Sequence, residues 1–265
     1  MTAPLIHGGP GRRVEIVIPV RHIWWIGILV QFYRARGLDP IWIVDASASW
    51  AFRLLARRHC PRLALVHPTA PRAETMLAPV IDALDCDWIV RLDGDELPSD
   101  ALIETIHGLG HDTQHPDFLG STRAWLRLKD GRIERAHNTI FGPEGQDWQY
   151  RILRRSAVEI ATEIHTPGFA IDPTRLGYLP GEACLWHFNW ICYARHEREA
   201  KIAAYDAQKP GAGSDFRQFY LPEEAPPGVH DWQPIHAPGT ERILRRIARH
   251  RDAVSSRLAV ALAGP

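Results

Sequence analysis

The chain has 265 residues, with 31 basic and 31 acidic side chains balancing to a formal charge of +0 and 45% hydrophobic residues. That composition describes a globular protein large enough for one sizeable core or two small ones. It excludes a dedicated nucleic-acid binder, which would carry a basic surplus to displace counterions from phosphate. Four cysteines, Cys60, Cys86, Cys184 and Cys192, form no C-x-x-C pair. They read as reduced thiols of a cytoplasmic protein. No secretory leader is expected from MTAPLIHGGPGRR, because no long apolar stretch follows its basic pair.

The first half alternates in type. Residues 14–20 (VEIVIPV) read as a fully buried strand. A helix is expected over 22–36, with Gly37 as its C-cap. Its apolar run IWWIGILV is well short of the ~20 residues a membrane span needs. Residues 41–44 form a second strand ending at Asp45, followed by a helix over 50–58 and a strand over 63–66. A helix over 74–84 contains Pro79, which works against it. Residues 87–92 (DWIVRL) form a fourth strand, ending in Asp93-Gly94-Asp95. Strands alternating with helices at this spacing make βαβ units and a mostly parallel sheet, whose ligands bind beyond the carboxyl ends of the strands.

The second half changes character. Asp130-Gly131, between two alternating segments in 121–136, is a type I′ hairpin signal. Strands are expected over 148–154 and 181–189, and a helix over 193–208. Pro and Gly cluster in 210–213 and 222–238, a loop-rich tail, before a basic amphipathic helix over 241–263. Such a helix packs on its own domain or a second subunit, or lies on an anionic membrane.

The chemistry concentrates in Asp93-Gly94-Asp95-Glu96. Two carboxylates two residues apart after a strand suit a hard divalent cation, Mg²⁺ or Mn²⁺, held together with substrate phosphates. The bland alternative is a solvated acidic turn whose Asp residues cap a helix. A calcium EF-hand fails, since Leu97 stands where an oxygen ligand is needed and Pro98 where the loop needs Gly. An aspartyl phosphatase would carry its motif on the first strand.

VIPVRH, Asp45, WIVRLDGDELPSDAL, WQYRILRR, IHTPG and LWHFNW, in that order over roughly residues 12–222, resemble the family 2-like bacterial glycosyltransferases of GT-A fold. The resemblance implies one Rossmann-like α/β domain: a mixed, mostly parallel sheet flanked by helices, a loop-rich C-terminal part and a terminal helix. Residues 1–120 would bind the nucleotide-sugar, 121–222 the acceptor, and 223–265 would form the C-terminal loop and helix.

It further implies that Pro19, Val20 and Arg21 line the nucleotide pocket and that Asp45 faces base or ribose. Asp93 and Asp95, the DXD pair, would hold the metal with His187 as third ligand, and an imidazole there favours Mn²⁺ over Mg²⁺. Arg198 and Lys201, three apart on one helical face, would neutralise the departing diphosphate. Glu163 is the candidate general base and Asp147 the second choice. Thr166 stands where some of these enzymes carry an acid, which leaves the base and inversion of the sugar centre open.

The implied reaction is metal-dependent transfer of a sugar from a nucleotide-diphosphate donor, a UDP-sugar foremost, to a hydroxyl of a glycan, lipid-linked or small-molecule acceptor. A cytoplasmic enzyme follows, with membrane association or dimerisation through its basic C-terminal helix. The alternatives are a sugar-phosphate nucleotidyltransferase and a non-catalytic glycan-binding scaffold. The first would show a Gly-rich loop after the first strand, where this chain has Pro19-Val20-Arg21-His22.

Overall fold

A computed structural model describes residues 14–70, 73–110, 115–138, 147–161, 168–226 and 228–263. In chain order the first elements are β1 (Val14–Val20), α1 (Ile26–Arg34), β2 (Ile41–Asp45), α2 (Trp50–His59) and β3 (Leu63–Val66). Next come α3 (Ala78–Ile81), β4 (Trp88–Arg91), β5 (Glu96–Pro98), α4 (Asp100–Gly108), β6 (Phe118–Lys129), β7 (Arg132–Asn138) and β8 (Asp147–Arg154). The remainder are β9 (Leu176–Tyr178), β10 (Cys184–His187), α5 (Asn189–Cys192), α6 (Arg195–Gln208), α7 (Arg217–Tyr220), β11 (His230–Pro234) and α8 (Pro238–Ala263). The chain divides into two compact units, Met1–Thr122 with Trp148–Leu185 and Arg123–Asp147 with Trp186–Pro265.

The first unit is an α/β fold on a mostly parallel sheet. Its strands lie in the order β8-β4-β1-β2-β3. Pairs β4–β1, β1–β2 and β2–β3 are parallel, and β8 runs antiparallel to β4. β2 and β4 are buried throughout and β1 nearly so. Burial on both faces explains why these strands read as continuous apolar runs rather than as alternation. Val17, Ile41, Ile43, Ile89, Leu153 and Phe169 belong to one core cluster, and Leu77, Val80 and Ile81 close over it.

Helix ends in this unit follow local chemistry. α1 stops in a Schellman motif: Leu38 N–H bonds Tyr33 O, Gly37 N–H bonds Arg34 O, and Gly37 takes the left-handed φ of 70°. The expected start at residue 22 is four residues early, because 21–25 turn before the first helical bond. Ser49 Oγ accepts from Phe52 N–H and opens α2. The single helix expected over 74–84 is two pieces, a 3₁₀ turn over Ala73–Met76 and the short α3. Pro79 lacks an N–H and cannot continue a helix from residue 74, but it fits the first turn of a new one. β5 and α4 were not anticipated; Ser99 Oγ caps α4 through Leu102 N–H and also bonds Cys184 N–H and Glu182 O.

In the second unit β7 pairs antiparallel with both β6 and β11. The β6–β7 turn has Asp130 at φ 49° and Gly131 at φ 72°, the two positive values a type I′ turn requires. Trp125, Trp190 and Phe219 form one small core, with Trp232 packed against it. The expected strand over 181–189 is shorter, since α5 begins at Asn189. β11 lies within the stretch expected to be loop.

Candidate functional site

In the first unit the chain leaves β1 for β2 and β3 on one side, then returns to place β4 on the other side of β1. The strand order therefore reverses between β1 and β4. Outside the carboxyl ends of two strands so arranged, the helices that follow them diverge and leave a crevice. Val20 ends β1 with Arg21 next after it, Asp45 ends β2, and Asp93-Gly94-Asp95 follows β4.

The turn after β4 sits directly on the end of β1. A Cβ on Gly94 would lie 3.0 Å from Val20 Cγ1 and 3.1 Å from Ile23 Cδ1, closer than side chains normally approach. A side chain there would make Val20 and Ile23 give way by a few tenths of an ångström. Trp25 Nε1 donates to Gly94 O at 3.0 Å and fixes the turn from the start of α1.

Asp93 is held by two arginines that sequence reasoning did not connect to it. Arg91 Nη2 lies 2.7 Å from Oδ1 and Arg151 Nη2 lies 2.7 Å from Oδ2. Both guanidinium side chains are 4% exposed. The same Arg151 nitrogen reaches Glu96 Oε1 at 3.1 Å, and Glu96 Oε2 accepts from Asp93 N–H at 3.0 Å. Glu96 is wholly buried, and Glu74 lies 3.7 Å from Arg91. Glu74, Arg91, Asp93, Arg151 and Glu96 thus form a charge network, buried at Arg91, Arg151 and Glu96 and partly exposed at Asp93 and Glu74, that braces the turn carrying Asp95, itself buried. Arg91 was findable, since residues i and i+2 of a strand share a face. Arg151, from β8, was not.

Asp45 is equally occupied. Oδ1 accepts from Ser47 N–H at 2.7 Å and Ser47 Oγ at 2.6 Å, and Oδ2 lies 3.0 Å from Arg21 Nε. Arg21 is half exposed, so Asp45 aims a cationic side chain from the strand edge toward solvent. Burial, then the neighbouring Arg21, holds the pKa of His22 below its ordinary value against the opposing pull of Asp45. Burial raises that of Tyr33, with Glu96 and Asp93 adding to it. Pro19 and Val20 are in register with Ile43 and Val44.

Four of the other expected site residues, His187, Arg198, Lys201 and Asp147, fall in the second unit and are described within it. His187 is buried edge-on to the Trp125 ring, 4.3 Å between centroids. Arg198 is buried, donates to Tyr220 O at 2.6 Å and pairs with Glu223 at 3.0 Å. Lys201 Nζ stands 5.6 Å from the Tyr220 ring and 5.8 Å from that of Tyr205, within cation–π range. Asp147 Oδ2 accepts from Arg123 Nε at 2.6 Å and Trp125 Nε1 at 2.9 Å. Glu163 lies outside the described residues.

Among the described residues no group of three or more His, Cys, Asp or Glu is gathered to hold a metal ion. Each Asp93 oxygen retains a lone pair beyond its arginine bond, but two adjacent guanidinium charges oppose a cation there. With Asp93 so paired, a hard cation would take Asp95 as its protein carboxylate and be completed by a ligand's phosphates and water, the usual manner of Mg²⁺. The donor set does not form an all-protein cage.

No protein-family model matches the chain, and no curated protein does. Among solved structures it is similar to glucosyl-3-phosphoglycerate synthase from Mycobacterium tuberculosis, in complex with Mn²⁺, uridine diphosphate and glucosyl-3-phosphoglycerate. The identity is 12% and the TM-score 0.48, over 85% of this chain and 88% of that one. A 4-diphosphocytidyl-2C-methyl-D-erythritol synthase matches at 13% identity and TM-score 0.38, over 57% of this chain and 78% of that one. A mycobacterial protein matches at 15% and 0.42, over 67% of this chain and 65% of that one, so the chain spans about two thirds of its length. At these scores function rests on the chain's own residues.

Proposed function

We propose that the chain is a nucleotide-diphosphate-sugar transferase whose nucleotide lies in the crevice between the ends of β1 and β4. The observation that carries this reading is the seating of the acidic turn. Gly94 of the Asp93-Gly94-Asp95 turn packs against Val20 at the point where strand order reverses, and Arg21, next in the chain after Val20, pairs with Asp45. A diphosphate needs positive charge and a rigid frame at such an edge.

The residues divide the work. Arg91, Arg151 and Glu96 hold Asp93, and Asp93 with Gly94 sets the backbone of the turn that carries Asp95. Asp95, with Asp93 at its side, would hold Mg²⁺ or Mn²⁺, and the bound cation would supply charge to the diphosphate. Arg21 would meet the nucleotide from the β1 side. Glu163 is proposed as the base that takes the proton of the acceptor hydroxyl. Asp147 already accepts from Arg123 and Trp125 and serves that pair.

Because the protein contributes few ligands, metal and nucleotide are expected to bind cooperatively. Titration calorimetry of uridine diphosphate with and without Mn²⁺ tests this. At least ten-fold tighter nucleotide binding with Mn²⁺, lost in Asp95→Asn, is expected. Nucleotide affinity indifferent to Mn²⁺ in the native chain would overturn the reading.

A further inference from the structure

Acids are unevenly placed in this neutral chain. They number 31 in 265 residues, yet none occurs in residues 16–38 or 46–73. Those two stretches contain α1 and α2, whose sequences IGILVQFYR and WAFRLLARRH carry only basic charge. The two helices pack on each other so closely that a Cβ on Gly27 would come 3.1 Å from the His59 ring.

The outward face of α2 is not the polar face a surface helix ordinarily shows. Phe52 and Ala56, four apart, are buried. On the opposite side Trp50 is 70% exposed and Leu54 is 51% exposed. Arg57 and Arg58 continue that stripe at i+7 and i+8, both exposed. Trp24, 39% exposed, meets the Phe52 ring edge-on at 6.0 Å. Several nearby cations are accounted for, since Arg21 pairs with Asp45, Arg36 with Asp100, and Arg62 with Glu15. Among the described residues, Arg34, Arg57 and Arg58 have no acidic partner within ion-pair distance.

We propose that this α1–α2 face docks the protein on an anionic lipid bilayer. Trp50 and Leu54 would enter the headgroup boundary, where indole rings are favoured, and Arg57, Arg58 and Arg34 would meet lipid phosphates. The surface commits to a bilayer because its charge is of one sign around an apolar stripe. A facing copy of the same cationic helix would repel it. No helix among the described residues is long and apolar enough to cross a membrane, so the attachment is peripheral. Trp24 and Trp50 follow the carboxyl ends of β1 and β2 by four and five residues, which sets the docked face beside the edge that bears Arg21 and Asp45. The inference does not depend on the nucleotide reading.

Sedimentation of the full chain with phosphatidylcholine vesicles, with and without 30 mole-percent phosphatidylglycerol, tests it. Binding is expected only to the anionic vesicles and weakens with salt. Each arginine near such a surface contributes about one kcal/mol, so Arg57→Gln with Arg58→Gln together should weaken binding roughly thirty-fold. Trp50→Ala with Leu54→Ala should bring it to background. Both double variants replace exposed side chains, so an unchanged melting temperature serves as the folding control. Three results would each overturn the proposal. They are failure of the native chain to bind anionic vesicles, undiminished binding by the Trp50/Leu54 variant, and a native dimer that this variant abolishes.

Discussion

Arg151→Met isolates the charge network beneath the acidic turn. The native guanidinium is 4% exposed and lies 2.7 Å from Asp93 and 3.1 Å from the wholly buried Glu96. Methionine keeps much of the volume and removes the charge, leaving Asp93 to Arg91 and Glu96 without its guanidinium. Removing one partner of a buried pair costs about 3–5 kcal/mol, because the other charge stays desolvated. For a domain of roughly 150–250 residues each kcal/mol lowers the melting temperature by about 2–4 °C, so a fall of roughly 6–20 °C is expected. Chemical denaturation of Arg151→Met, Glu96→Gln and the double variant completes a cycle. The double variant should recover about 1–3 kcal/mol relative to the sum of the singles, since an amide in place of Glu96 no longer needs a cation. If Arg151→Met lies within 1 kcal/mol of native, or the cycle is additive, the network does not brace the turn.

Other consequences can be checked separately. Gly94→Ala should destabilise the fold by about 1–3 kcal/mol in denaturant melts, because its methyl would press on Val20 and Ile23. Gly131→Ala meets no neighbouring atom within 4 Å, so its cost is conformational alone, about 1 kcal/mol from the φ of 72°. Burial pushes the Cys60 and Cys86 thiols up to about 12. The unfolded thiols ionise near 9 while the native ones hold their protons, so this stabilisation is full below pH 9 and declines from there toward pH 12. Alkaline denaturation of the native chain should accordingly be steeper than that of Cys60→Ala/Cys86→Ala, and native thiols should label slowly with a thiol reagent at pH 8.

Much of the sheet was legible because its strands are buried on both faces. VEIVIPV, IWIV and DWIVRL announce themselves as apolar runs, and Asp45 and Asp93 mark where the last two end. Gly37 and Asp130-Gly131 were legible for a different reason, as each requires a backbone conformation that few residues tolerate. β11 is set by its register with β7, far away in the sequence, whereas α4 carries a local signal, the Ser99 cap on Leu102 N–H and the buried Leu102, Ile103 and Ile106, that the reading of 93–96 as an acidic turn passed over. The site was half legible. The carboxylates stand in the sequence, but their partners do not, since Arg151 reaches Asp93 across 58 residues through the β4–β8 pairing. Arg198 shows the same limit. Its spacing from Lys201 suggested a diphosphate clamp, whereas its guanidinium faces Tyr220 O and Glu223.

The most direct measurement is a crystal of the native chain soaked with uridine diphosphate and Mn²⁺, with anomalous data collected for the metal. A manganese peak is expected at coordination distance, roughly 2.0–2.2 Å, from an Asp95 oxygen, beside a diphosphate beyond the ends of β1 and β4. A nucleotide bound away from that edge, or manganese with no contact to Asp95, would contradict it.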